Sequence, residues 1–287
     1  MADATETSPH GLDPLATELR ADDPDRFYTA MFAAEPGRGH LLALYAFNLE
    51  VARTRERISE PMLGQIRLQW WREALDEIAA DKPRNHPVCL ALNKWLGGSL
   101  PADTRALFDE VLTAREQDME DSPFATVDAF HAYASATGGA LLQLGMHAVG
   151  ERGEGPLRLA RHVGTAYAIT GLIRAVPFAG ANGRVLIPQE IMTAVGATDA
   201  ASRRDPERMR AAVAKLADMA TGELRLARAA GVRSRNRTRP VLLHRALAEM
   251  YLGRIRAAKH DLRDPRLDPG NGIRIARLLW RNYRLGY

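Results

Sequence analysis

The sequence predicts an all-α fold, and three observations lead to this prediction. Apolar residues recur three and four positions apart along most of the chain, whereas no run alternates apolar and polar residues as a half-buried strand does. Loop compositions such as Pro36-Gly37, Gly97-Gly98 and 268–272 separate the periodic stretches. A hydrophobic content of 46% over 287 residues is enough for a large core. We therefore expect a single domain over residues 23–287, preceded by a flexible segment over residues 1–22.

Capping and breaker residues divide this domain into its expected helices. Near the middle of the chain, Pro177 is expected to break or kink a helix, and residues 180–184 are expected to form a loop. In the helix that begins near Met62, the spacing places Ile66 and Trp70 on the buried face. The expected helices span residues 24–33, 40–58, 62–80, 87–96, 102–119, 127–149, 156–176, 188–195, 206–230, 240–260 and 273–283.

Composition and charge exclude several classes of protein. The formal net charge is only +4 and no nucleic-acid motif occurs, so no nucleic-acid partner is expected. The single cysteine, Cys89, allows no disulfide framework, and none of the eight histidines pairs at zinc-ligand spacing. Residues 1–14 lack the pattern of a secretory signal, and no uninterrupted apolar run reaches about 18 residues. We therefore expect a cytoplasmic protein without a spanning helix.

Two stretches of the chain carry recognisable motifs. The first is Tyr45-Ala46-Phe47 on the expected helix 40–58. The second runs from 163 to 188, after a small-residue stretch at 133–140. Both stretches resemble the signature regions of the squalene/phytoene synthase family, and the second retains Gly164, Ala166, Thr170, Arg174, Val176, Gly183, Arg184 and Pro188. The resemblance covers roughly residues 25–262 and implies an isoprenoid-synthase-like helical bundle around a central cleft.

The family's carboxylates are largely missing. The resemblance implies that aspartates in both regions hold Mg²⁺ against a prenyl diphosphate, and hard oxygen ligands are what this ion requires. In the first region the aspartate positions fall on Ala52, Arg53 and Glu56. In the second region they fall on Ala175 and the pair 178–179, which reads Phe-Ala. We therefore expect no catalytic residue, no metal ligand set and no cofactor, with Mg²⁺ required only if the chain is an active prenyl transferase.

Polar side chains of the vestigial cleft remain as candidates for binding a substrate-like molecule. The arginines among them can hold phosphate oxygens without a metal, whereas a polar helix face that pairs with Glu50 or Glu56 is the plainer interpretation of Arg53. The candidate residues are Tyr45, Asn48, Arg53, Glu56, Tyr133, Arg174, Arg184 and Tyr251.

The motifs Ser59-Glu60-Pro61 and Gln69-Trp70-Trp71 resemble one branch of the family, the assembly factors for respiratory complex I. The resemblance implies a catalytically degenerate scaffolding protein whose partners are complex I subunits or other assembly factors. Two alternatives stay open, an active head-to-head prenyl transferase and a metal-free protein that binds an isoprenoid or an anionic lipid.

The C-terminal segment has a composition that suits an anionic membrane surface. Ile273, Leu279 and Trp280 supply apolar area, and arginines such as Arg274 and Arg277 supply positive charge. Peripheral contact with the inner face of the membrane is therefore expected. The alternative is a closing helix that packs on the core with its arginines in solvent.

Overall fold

The computed structural model describes residues 14–57, 60–120, 122–181, 183–231 and 235–284. Helices account for the regular structure in these ranges, which contain no strand, so the all-α prediction is confirmed. The α-helices are α1 Pro14–Asp22, α2 Pro24–Ala30, α3 Gly37–Ala52, α4 Pro61–Ala79, α5 Pro87–Leu96, α6 Ala102–Glu116, α7 Val127–Ala134, α8 Ala140–Ala148, α9 Glu154–Ala181, α10 Gln189–Ala194, α11 Pro206–Ala229, α12 Arg239–Leu242, α13 His244–Ala257 and α14 Gly270–Arg284.

The long helix α9 is the middle of the bundle. It packs against α8, α11 and α13, and a π-helical turn over Ser135–Gly139 lies directly on it. Two glycines allow this contact, because a Cβ atom at Gly138 would lie 2.4 Å from the backbone oxygen of Gly164. Close packing of small residues is therefore the structural role of this part of the second motif.

The N-terminal boundary of the domain differs from the prediction. Residues 14–22, expected to be flexible, form α1, which packs against α3 and buries Ala16 and Leu19. Burial of this apolar pair explains the helix, since the free energy of the contact offsets the cost of ordering a short segment. The predicted flexible residues 1–13 lie outside the described part of the chain.

Helix α9 does not end at Pro177 but continues to Ala181. Pro177 is on the exposed side of the helix, where water can replace the lost backbone hydrogen bond. The end of α9 is marked instead by Gly183, which has a φ of 74°. The backbone N–H of Arg184 donates to the oxygen of Ala179 at 2.9 Å, a bond typical of a glycine-terminated helix.

The buried face of α4 also differs from the prediction. Trp71 and Leu68 are fully buried, whereas Ile66 is 59% exposed and Trp70 only partly buried. Trp71 packs edge to face on Phe47 of α3, with ring centroids 5.0 Å apart. Contact with this aromatic ring sets the rotation of α4, and the periodicity of α4 alone does not reveal it.

Among the described residues, none of the helices has the length and apolar character needed to cross a membrane.

Candidate functional site

The carboxylate of Asp25 lies at the centre of a buried polar network. Asp25 lies in the first turn of α2 and is only 5% exposed. The hydroxyl of Tyr167 on α9 donates to its Oδ2 at 2.9 Å, and the hydroxyl of Tyr251 on α13 lies 2.9 Å from both carboxylate oxygens. Nε of Arg274, on α14, forms an ion pair with Oδ1 at 2.8 Å. Four helices from distant parts of the sequence therefore meet at one carboxylate.

A second guanidinium, that of Arg174, closes the same network. Its Cζ atom lies 3.8 Å from the ring centroid of Tyr251, and its Nη1 lies 4.0 Å from Oδ2 of Asp25. Burial, followed by the negative charge of Asp25, raises the pKa of Tyr251 to about 12, and the same causes raise the pKa of Tyr167. Both phenols therefore stay protonated and act as hydrogen-bond donors to the carboxylate.

Tyr45 borders this network from α3 and is fully buried. The ring of His244 lies between two tyrosines, with its centroid 5.7 Å from that of Tyr45 and 5.0 Å from that of Tyr167. Burial, with the nearby positive charge of Arg26, lowers the pKa of His244 to about 4, so this histidine is neutral at physiological pH.

A separate polar cluster surrounds Tyr133. The hydroxyl of Tyr133 donates to Oδ1 of Asp118 at 2.7 Å and accepts from Nη1 of Arg115 at 2.9 Å. Arg184 reaches the backbone oxygen of Asp118 at 3.5 Å and lines a cavity of about 240 Å³ with Tyr133 and Phe124. Burial raises the pKa of Tyr133, which keeps its hydroxyl protonated. Two of the predicted candidates, Tyr133 and Arg184, are therefore neighbours.

The other candidates of the first motif do not join either cluster. Asn48 is buried on α3. Arg53 follows the end of α3, and its Nη1 lies 2.7 Å from Oδ2 of Asp22 on α1. Arg53 was expected to pair with Glu50 or Glu56. Glu50 instead binds Arg67 at 2.8 Å, whereas Arg53 interacts electrostatically with Glu56 as well as with Asp22. Glu56 is exposed in a single 3-10 turn. The arginines proposed to hold phosphate oxygens are thus divided among different surroundings.

Two of the three carboxylate positions of the second motif, Ala175 and Phe178, line an open pocket. Its volume is about 560 Å³, and its lining includes Arg174, Ala175, Phe178, Leu267 and Asp268. Phe178 is 75% exposed, so an apolar ring lies at a position where the family has an acid.

The donor chemistry of these positions does not fit the magnesium ions of an isoprenoid synthase. Methyl and phenyl groups have no ligand atom, and Arg53 brings a permanent positive charge that is already paired with Asp22. Within the described ranges, no group of three or more His, Cys, Asp or Glu side chains could hold a metal ion.

Two of the predicted candidates, Tyr251 and Arg174, lie around Asp25, and Tyr45 lies at the border of this network, but Asp25 itself was not among the candidates. Asp25 stands in the first turn of a short helix after Asp23, where an acid ordinarily complements the helix dipole at the surface. Arg274 was expected on a solvated or membrane-facing side of the C-terminal helix, whereas it is 7% exposed and paired with Asp25. A charged pair separated by 249 positions leaves no local signal in one sequence.

The helical bundle has an isoprenoid-synthase-like fold. Two solved structures share this fold. A dehydrosqualene synthase in complex with ligand matches with a TM-score of 0.79 and 17% identity, covering 93% of each chain. The squalene synthase HpnC from Alicyclobacillus acidocaldarius matches with a TM-score of 0.74 and 20% identity, covering 86% of this chain and 94% of its own.

The chain belongs to the squalene/phytoene synthase family, whose model matches residues 19–272. Among its relatives is the NADH dehydrogenase (ubiquinone) complex I, assembly factor 6 of Bos taurus, which is 27% identical over 280 residues, or 96% of this chain and 84% of the relative. The protein of the same name in Homo sapiens is 25% identical over the same shares. The predicted family membership is therefore confirmed.

Proposed function

We propose that this protein is a non-catalytic member of the squalene/phytoene synthase family that acts as an assembly factor for respiratory complex I. The names of its relatives support the assembly role. The expected partners are complex I subunits or other assembly factors, and the expected place is the cytoplasm or the inner face of the membrane.

The observation that carries the non-catalytic half of the proposal is the position of Asp25. Two guanidiniums and two phenols, from Arg174, Arg274, Tyr167 and Tyr251, converge on its carboxylate. Such a set of donors suits an anionic group of a ligand. Because the chain supplies that anion itself, a prenyl diphosphate would have to displace a buried ion pair before these donors could bind it.

Loss of the metal ligands supports the same conclusion. Ionisation of an allylic diphosphate places negative charge on the leaving group, which a synthase stabilises with metal ions. Removal of one electrostatic donor from such a site costs on the order of a hundredfold in rate. Five of the six carboxylate positions of the family are occupied here by Ala52, Arg53, Ala175, Phe178 and Ala179.

A turnover assay tests the absence of catalysis. Purified protein incubated with farnesyl or geranylgeranyl diphosphate and Mg²⁺ or Mn²⁺ is expected to form no more product than a boiled sample. A dehydrosqualene synthase assayed in parallel shows that the assay detects the reaction. Product above the boiled control would overturn the non-catalytic half of the proposal.

Native gel electrophoresis tests the assembly role. Membranes from a strain that lacks the gene are expected to contain less intact complex I and more of its partial assemblies than membranes of the parent strain. Expression of the protein from a plasmid is expected to restore the intact complex. An unchanged band of intact complex I in the deletion strain would contradict the assembly role.

A second candidate function is metal-free binding of an anionic isoprenoid. The open pocket beside Arg174, with Phe178 and Leu267 as apolar walls, favours it. Titration calorimetry with farnesyl diphosphate in the presence of EDTA measures this binding directly. Substitution of Phe178→Ser should weaken such binding, and heat release that is the same for both proteins would argue against the pocket as its site.

A further inference from the structure

Helix α14 is oriented with its arginines toward the protein. Arg274 is bound to Asp25 and lies 3.4 Å from Asp268, and Arg277 and Arg281 lie 3.8 and 3.3 Å from Glu249 on α13. Leu278, on the same face, is fully buried. The helix packs on the core, as the alternative expected. Solvated arginines were also expected, but Arg274, Arg277 and Arg281 pair with acids beneath the helix, and only Arg284 is exposed.

The outward face of α14 is apolar. Ile273 is 52% exposed, Leu279 55%, Trp280 51% and Tyr283 88%. At about 100° per residue, these four side chains and Ala276 fall within about 120° of one another on the helix. The helix therefore presents a continuous apolar stripe to its surroundings, while its charged side is covered by the protein. A surface helix of a monomeric protein normally has the reverse arrangement.

The surroundings of this stripe are positively charged. Helices α13 and α14 together contain seven arginines and a single acid, Glu249. That one carboxylate also pairs with Arg245 at 3.0 Å and with Arg228 of α11 at 3.5 Å, so four arginines share one negative charge. Arg284 is exposed, and its Cζ atom lies 4.3 Å above the ring of Trp280. A cationic border therefore adjoins the apolar stripe.

We infer that the outward face of α14 inserts into the headgroup region of an anionic membrane. The apolar stripe supplies area for insertion, and Trp280 and Tyr283 have the amphipathic rings typical of this depth. The exposed arginines of the cationic border, Arg284 and Arg228, attract anionic headgroups. At 15 residues the helix is about 22 Å long and lies flat in such an interface.

The area of the stripe also favours a lipid surface over a second protein. Four side chains exposed to about this degree offer roughly 500 Å² in total. A stable protein interface buries about 800 Å² on each partner. Membrane docking is independent of the assembly role, because it concerns only where the protein resides.

Vesicle flotation tests the inference with the full-length protein. The expected result is recovery with vesicles of phosphatidylcholine and phosphatidylglycerol, and much lower recovery with phosphatidylcholine alone or at high salt. The variant Leu279→Ser/Trp280→Ser should lower the partition coefficient on the order of tenfold or more. The matched control is Met62→Ser/Ile66→Ser on α4, where two apolar side chains are 68% and 59% exposed. That control should bind as the unaltered protein does, and circular dichroism verifies that both variants fold.

Two outcomes would overturn the inference. One is equal recovery of the two double variants, which would remove α14 from the binding surface. The other is a protein complex or self-association that the α14 variant loses and the control variant keeps, while the α14 variant still binds vesicles. That result would make the apolar stripe a protein interface. Fluorescence quenching measures insertion independently. Brominated lipids should quench the fluorescence of Trp280 in the bound protein and leave the fluorescence of a Trp280→Phe variant unchanged.

Discussion

Substitution of Asp25→Asn tests whether the buried network holds the bundle together. The carboxylate accepts hydrogen bonds from Tyr167 and Tyr251 and pairs with Arg274, whose side chain is 9% exposed. Loss of one partner of a buried ion pair costs about 3–5 kcal/mol of unfolding free energy. Because Arg274 keeps the hydroxyl of Tyr251 at 3.0 Å and asparagine keeps one acceptor, we expect the lower end, about 3 kcal/mol.

Urea unfolding followed by far-ultraviolet circular dichroism measures this change. The matched control is Asp22→Asn, which breaks an ion pair of similar length with Arg53 where both side chains are about a third exposed. That substitution should cost no more than about 1 kcal/mol. If Asp25→Asn were no more destabilising than Asp22→Asn, the idea that the network organises the bundle would be refuted.

Three further results are expected from the packing and the shifted pKa values. Gly164→Ala should destabilise the fold by about 1–3 kcal/mol, because its Cβ would lie 2.2 Å from the backbone oxygen of Gly138, whereas Gly171→Ala in the same helix meets no atom within 4 Å and should be neutral or stabilising. Thermal unfolding compares the two. Burial lowers the pKa of His244 from 6.5 to about 4, so the folded protein holds this histidine neutral. Its contribution to the free energy of unfolding is therefore fully present above about pH 6.5, and it is lost below that pH as the unfolded chain gains a proton. On acidification from pH 7.5 to 5 the unaltered protein should lose about 2 kcal/mol more than His244→Gln, and equal losses would contradict this assignment. Burial raises the pKa of the Cys89 thiol to about 11, so a thiol reagent should label it only after unfolding, and rapid labelling of the folded protein would contradict its burial.

Much of the fold was predictable because local chemistry sets it. Prolines at the first turn of α4, α5 and α11 mark helix starts that the sequence predicts to within a residue. Positions that depend on a distant partner were not predictable. Trp71 is buried where Trp70 was expected, because Phe47 lies opposite it. The π-helical turn at 135–139 similarly depends on contact with α9.

The C-terminal helix shows the same limit most clearly. Its arginines at positions 274, 277 and 281 share one face of the helix, and the sequence of this segment alone predicts that this face is exposed to solvent. This arginine face packs toward the protein because Asp25 and Glu249, on two other helices, lie beneath it. The same reversal exposes the apolar residues, so the candidate membrane surface follows from long-range charge pairing and not from the amphipathic pattern itself.

The most direct test of the proposed function is deletion of the gene, followed by measurement of complex I activity and of isoprenoid levels in the same cells. We expect the activity of assembled NADH:quinone oxidoreductase to fall, while squalene, carotenoid and hopanoid levels stay unchanged. Complementation with a Glu56→Ala variant, which lacks the last carboxylate of the first motif, should restore the oxidoreductase as fully as the unaltered gene does. A fall in isoprenoid products with normal complex I activity would contradict the account.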